Sequence, residues 1–340
     1  MKKRAFLRTL LATTMLFSIT ACDDSNAGSN SNGSSPKVVK VSSVVAATHP
    51  STIALKEVFK PMIESKTNGK YQIDIYDSGQ LGDEKQSFDY TRQGIIDMSV
   101  LGTVMWSEVP KMSVPDFPFL FKDIPHARKV YQGEVGAEIS RSFEESQPIK
   151  FLAWMPNGAR VFSSSKSLSS PDQFKGQKMR MPNNPIHVKV AELLGANVAI
   201  MGLGEVFTAL EQGVVDGQDN PLSTFVQQGF YSVNKNIYET NHMISSLELL
   251  SNINFWNSLS EEEKVIFNEA AKATSDKSWD LYQASIEADK KLVQEKGGSV
   301  VVPTDADKQV LVEKMQPLYD ELYQKYDWAK ALVEKVRNTQ

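Results

Sequence analysis

The sequence predicts an α/β protein of two lobes, and three observations point there. Strand-like and helix-like segments alternate in two successive blocks. The 340 residues exceed one average domain. One helical pattern is long enough to cross two of them. The first block opens with Val38–Val45, apolar and β-branched, which reads as a strand. After His49-Pro50, residues Ile53, Leu55, Val58, Phe59, Met62 and Ile63 share one helical face. Thr67–Lys70 is a turn, and Tyr71–Tyr76 alternates as a second strand. A helix near Asp83–Gln93 and a strand at Ile95–Leu101 complete a β-α-β-α-β order, which argues for a parallel sheet.

Pro115–Phe121 is an aromatic stretch between prolines, too proline-rich for a central strand and best read as a loop packing its rings inward. Ile149–Met155, Val161–Ser165 and Lys178–Met181 read as three strands. Pro185–Leu194 is an amphipathic helix stopped by Gly195, followed by a strand at Val198–Met201, a helix at Glu205–Gln212 and a short strand at Val214–Val215. Ser260 and Glu263 form a capping box. The helical pattern behind it runs to about Lys296 without proline or glycine, roughly 54 Å at 1.5 Å per residue. Gly297-Gly298 ends it, a strand follows at Ser299–Val302, and two helices from about Asp305 finish the chain.

Composition narrows the functional classes. Sixteen Phe, ten Tyr and five Trp are too many to leave solvated, which excludes a disordered chain. A formal net charge of −4 argues against a nucleic-acid binder. A single cysteine excludes a disulfide framework or a multi-thiolate metal site, and the four scattered histidines form no zinc-binding spacing. Neither a metal nor a cofactor is expected. No GxSxG, phosphate-binding loop or dinucleotide fingerprint appears, so no motif of these kinds marks an enzyme.

Residues 1–21 have the layout of a bacterial secretion signal, with basic Lys2, Lys3, Arg4 and Arg8 before a short apolar run. The lone cysteine closes Ile19-Thr20-Ala21-Cys22, which resembles a lipobox. Lipidation of Cys22 and an ordinary cleaved signal are the alternatives. The Ser/Asn/Gly stretch up to residue 36 suits a flexible tether, and Asp23-Asp24 resembles an inner-membrane retention signal. Four basic residues and no acidic ones fall in the leader, so the mature chain is more acidic than the whole. An anionic ligand would therefore need a local cationic site.

Such a site is suggested between Asn157 and His242. Arg160 follows a strand in Asn157-Gly158-Ala159-Arg160, and Arg180 sits in the apolar Lys178-Met179-Arg180-Met181-Pro182. A guanidinium in apolar company needs a partner, and its planar fork matches a carboxylate; an internal ion pair is the competing reading. The polar run Asp216-Gly217-Gln218-Asp219-Asn220-Pro221 suits either a cleft rim or a plain turn.

These pieces, with Leu194-Gly195-Ala196-Asn197, Glu205-Val206-Phe207, Ser78-Gly79-Gln80-Leu81-Gly82-Asp83-Glu84 and Phe117–Phe121, resemble the substrate-binding proteins of tripartite ATP-independent periplasmic (TRAP) transporters over about residues 38–325. The resemblance implies a two-lobe periplasmic-binding-protein-like (type II) fold with a central cleft and a long helix spanning both lobes. It implies lobe I from 37–157 plus about 246–285, and lobe II from 158–245 plus about 286–340. It assigns the main carboxylate salt bridge to Arg180, with help from Arg160 and Asn220, and marks His242 as a cleft-facing candidate and Asn183 as a weaker one. Gly102 and Val45 depart from the sialic-acid branch, and Leu203 stands where many members place an aromatic that lies against the ligand. A sugar acid such as a uronate and a C4-dicarboxylate both remain open. The implied partners are the small and large membrane permease subunits, the implied location is the periplasm, and the implied state is a monomer. An exported lipoprotein enzyme or ligand sensor acting on an anionic sugar is the alternative.

Overall fold

The computed structural model describes residues 35–340 other than residues 103, 106 and 107; the leader, Cys22 and most of the tether lie outside the described residues. Strand β1 (Lys37–Ser43) buries Val39 and Val41 completely. It pairs in parallel with β2 (Tyr71–Tyr76) on one side and β3 (Met98–Leu101) on the other. Helical residues Pro50–Lys66, interrupted by a wider π turn at Leu55–Phe59, make the first crossover. Helix Glu84–Gln93 makes the second; Asp83 caps it through the Gln86 N–H at 2.8 Å, and Gly94 ends it at φ 77°.

The middle of the chain departs from its pattern. One 16-residue strand, β4 (Ile149–Ser164), replaces the two strands expected either side of Pro156–Gly158. Register shifts at Phe151/Ala153 and Pro156/Gly158 let the ladder continue past the proline, and Gly158 supplies the needed positive φ of 126°. After β5 (Lys178–Met181) and β6 (Asn197–Ile200), the polar run that suits either a cleft rim or a plain turn by sequence is strand β7 (Gly217–Pro221), buried along its length. The sequence reading left β8 (Asn236–Tyr238), the fully buried β9 (Ile244–Asn252) and the helices Ile124–Gln132 and Glu134–Ser146 unassigned. β10 (Ser299–Val301) pairs with β8.

The strand order is β2-β1-β3-β9-β4-β7-β5-β6, with β8 also on β4. The sheet is mixed rather than parallel, because β9 runs antiparallel to both β3 and β4, and β7 and β8 run antiparallel to β4. β4 pairs with β9 as far as Ala159 and with β7 from Arg160 onward, so one strand serves both halves of the sheet.

Helix Glu261–Glu295 packs along β4, Pro50–Ala54 and Leu222–Gln227. Its Ser260/Glu263 capping box forms as expected. Ser275 donates to the Trp154 carbonyl at 2.5 Å, and the Tyr282 hydroxyl accepts the Ala159 N–H at 2.7 Å, so the helix is fastened to β4 on either side of Gly158. The Pro115–Phe121 stretch begins in a 3-10 turn (Pro110–Asp116) and buries Phe117 against Tyr319 at 5.1 Å between ring centres.

Candidate functional site

A cavity of about 690 Å³ opens beyond the carboxyl ends of β1, β5 and β6, where parallel α/β strands leave room for a ligand. Val44–Ala46, the Ser78–Gly82 turn and the start of helix Glu84–Gln93 line one wall. Arg160, Arg180, Asn220 and the Met201–Gly204 segment line the other.

Strand alternation puts Arg180 on the cavity face while Met179 and Met181 are wholly buried on the other. Only 3% of Arg180 is exposed. Its Nε and Nη2 donate to one acceptor, the Met201 carbonyl, at 3.0 and 2.7 Å. Among the described residues it has no carboxylate within ion-pairing distance, and its Nη1 has no hydrogen-bond partner. Burial lowers its pKa to about 10, against the opposing pull of Asp219. The guanidinium therefore stays charged at neutral pH and fixed in orientation.

Arg160 is arranged otherwise. Its Nε and Nη2 grip the two carboxylate oxygens of Asp219 at 2.7 and 2.8 Å, and Nη2 also reaches the Asp219 carbonyl at 2.9 Å. Burial alone would raise the Asp219 carboxyl, but the Arg160 charge and its hydrogen bonds, with the His187 and His242 rings close by, hold it well below the ordinary range. An internal ion pair is thus present at Arg160, and Arg180 has none among the described residues. Arg160 still borders the cavity, beside Asn220, whose Nδ2 donates to Gln218 Oε1 at 2.5 Å. Asn183 stands exposed on the rim.

His242 does not line the cavity. It is 2% exposed, stacked on Phe162 at 4.4 Å, paired with Thr240 Oγ1 at 2.7 Å, and has Nε2 3.4 Å from Asp219. It supports the Arg160–Asp219 pair from behind, because the Phe162 ring and Thr240 fix its plane. Burial pushes its pKa down. His187 flanks the same carboxylate, 3.6 Å from Asp219 and 3.6 Å from Asp116, whose side chain accepts a 2.8 Å hydrogen bond from Asn184.

Sequence reasoning missed Glu84. It is the first residue of its helix and borders the cavity opposite Arg180 and Arg160. Its Oε1 accepts the Gly102 N–H at 3.1 Å. Burial raises its pKa, while Arg180 pulls it back. A Cβ at Gly102 would come within 3.1 Å of that oxygen, so the glycine leaves room for the acid. Glu84 closes the Ser78–Glu84 run that carries part of the resemblance, but a helix-start glutamate has no sequence mark separating a cavity from solvent.

A family model described as "Bacterial extracellular solute-binding protein, family 7" matches residues 41–326. An uncharacterized protein of Haemophilus influenzae is 38% identical over 327 residues, 96% of each chain. The crystal structure of a TRAP periplasmic solute-binding protein from H. influenzae with bound L-gulonate shares 38% identity at a TM-score of 0.87, covering 89% of this chain and all of that one. A TRAP solute-binding protein from Chromohalobacter salexigens with bound D-glucuronate shares 27% identity at a TM-score of 0.85, with 89% and 100% coverage.

Proposed function

The chain belongs to the bacterial extracellular solute-binding protein family 7, the TRAP transporter solute-binding proteins, and from that premise we propose that it captures a small organic acid by its carboxylate on Arg180. The observation that carries this is the buried guanidinium fixed on the Met201 carbonyl, with a free edge and no counter-anion among the described residues, in a cavity of sugar-acid size. A carboxylate arriving there gains charge-assisted hydrogen bonds in a site that excludes water. Asn220 and Arg160 border the spot where its remaining lone pairs would point.

The related proteins with bound L-gulonate and D-glucuronate support a sugar acid as the ligand, and a C4-dicarboxylate is the other acid in view. Ligand contacts from both walls would favour a closed cleft by shifting an open–closed equilibrium. The closed form would then hand its cargo to small and large permease subunits, with no chemistry performed on it. The family is periplasmic, and no described helix is long and apolar enough to cross a membrane. Acylation at Cys22 would hold a monomeric protein beside its permease on the inner membrane.

Titration calorimetry of Arg180→Ala with sugar acids tests the reading. Removing one member of a buried charge pair costs about 2–5 kcal/mol, roughly 30- to several-thousand-fold in affinity. Unchanged affinity in a folded variant overturns it.

A further inference from the structure

Most polar side chains around the cavity already have partners. Arg160 is matched by Asp219, Asn220 donates to Gln218, and Lys85 pairs with Asp89. The short helix Leu222–Gln227 differs. Thr224, Gln227 and Gln228 are spaced i, i+3 and i+4, so one face of this turn borders the cavity while Phe225 is wholly buried. Thr224 meets Asn157 Oδ1 at 3.4 Å. The half-buried Gln227 side chain makes no hydrogen bond among the described residues, and its Oε1 is covered without a donor. Buried polar atoms are as a rule paired, so one left open beside a cavity points to a partner that binds there.

The place of Gln227 sets which part of a ligand it meets. Strand β7 separates β5 from β4, with Arg180 opposite Gln218 on one side and Val161 opposite Asn220 on the other. Thr224, one turn before Gln227, touches Asn157 of β4. The polar face of the helix therefore stands two strands across from the strand that bears Arg180, roughly 10 Å at the usual spacing. A ligand whose carboxylate lies on Arg180 brings the remote end of its chain toward that face. A hydroxyl there can donate to the amide oxygen or accept from its NH2, because the amide turns about a broad last torsion. A methyl group in the same place leaves the amide unpaired, and that cost is what makes such a site discriminate.

We infer that Gln227 reads a hydroxyl at the end of the ligand remote from its carboxylate, so that the cleft prefers sugar acids hydroxylated there to their deoxy counterparts. This rests on the carboxylate-capture reading above and adds a specificity-determining residue to it.

L-Gulonate and 6-deoxy-L-gulonate form a suitable pair of probes, because they differ only in a terminal CH2OH against a methyl group. Calorimetry on the purified protein should show L-gulonate bound about tenfold more tightly, as expected for one hydrogen bond whose loss strands a polar group. In Gln227→Leu, L-gulonate should weaken about tenfold and the deoxy acid stay within about twofold, so that the preference disappears. Gln227→Met, unbranched and of similar length, should do the same and serves if Gln227→Leu does not fold. Equal binding of the two acids by the unaltered chain, binding of neither, or an unchanged ratio in the folded variant overturns the inference. If the ratio is unchanged while Arg180→Ala abolishes binding of L-gulonate, only the role of Gln227 fails. If Arg180→Ala binds normally, the carboxylate-capture reading fails and takes this inference with it.

Discussion

Replacing Asp219 by asparagine should damage the protein through Arg160 rather than through any ligand. Arg160 is 2% exposed and Asp219 wholly buried, and the pair shares two side-chain hydrogen bonds of 2.7 and 2.8 Å. Asparagine keeps the shape but leaves a guanidinium buried without its counter-charge. Breaking such a pair by removing one member costs about 3–5 kcal/mol. At about 2 °C per kcal/mol for a chain of this size, the thermal midpoint should fall by roughly 6–10 °C. A thermal melt followed by circular dichroism reads the midpoint, and urea unfolding of the ligand-free protein at pH 7 reads the free-energy loss. Arg160→Met combined with Asp219→Leu should recover much of the loss, since no charge is then stranded. The acid limb gives a second check. Asp219 has a depressed folded pKa, so its contribution is present above the ordinary value of 3.8 and lost as pH falls below that toward the folded value. Asp219→Asn should therefore flatten the stability curve below pH 3.8. A loss under about 1 kcal/mol at pH 7 would refute the claim that this ion pair is structural.

Two further substitutions test other parts of the chain. Gly158→Ala meets a φ of 126°, with its Cβ 2.5 Å from Tyr282 Cε2, and should cost about 2–4 kcal/mol by the same urea assay; a neutral result would show that β4 can shift off the long helix. Cys22→Ser should move the protein from the membrane fraction to the soluble periplasm and abolish radiolabelled palmitate incorporation, and unchanged fractionation would exclude the acyl anchor.

The elements most legible in the sequence are those whose burial pattern is apolar. β2, the long helix and β5 were readable because period-2 alternation, a capping box and flanking methionines mark them. β7 and β9 were not, because both bury polar residues whose partners are supplied by the folded protein rather than by water. Gln218 donates to Ser163 Oγ at 2.8 Å across the sheet, and Asp219 meets Arg160. In β9, Glu248 is 3% exposed beside Ser246, which donates to it at 2.6 Å, and burial raises its pKa well above the usual carboxylate range. A periodicity argument reads such residues as solvated. The site divided similarly. Arg180 could be singled out from its apolar flanks, and Asn183 and Asn220 also reach the cavity. The partner of Arg160 and the rearward placement of His242 depend on which strand pairs with which, and that is a tertiary fact.

The ion pair at Arg160 divides the cleft into a foundation and a changeable front. Asp219, His187 and His242 lock the rear wall, so mutation there puts folding at risk before it alters taste for ligand. Asn183, Leu203 and Val45 border the void outside that network. Evolution, or an engineer building a sensor for another acid, can exchange those residues while the foundation stays in place.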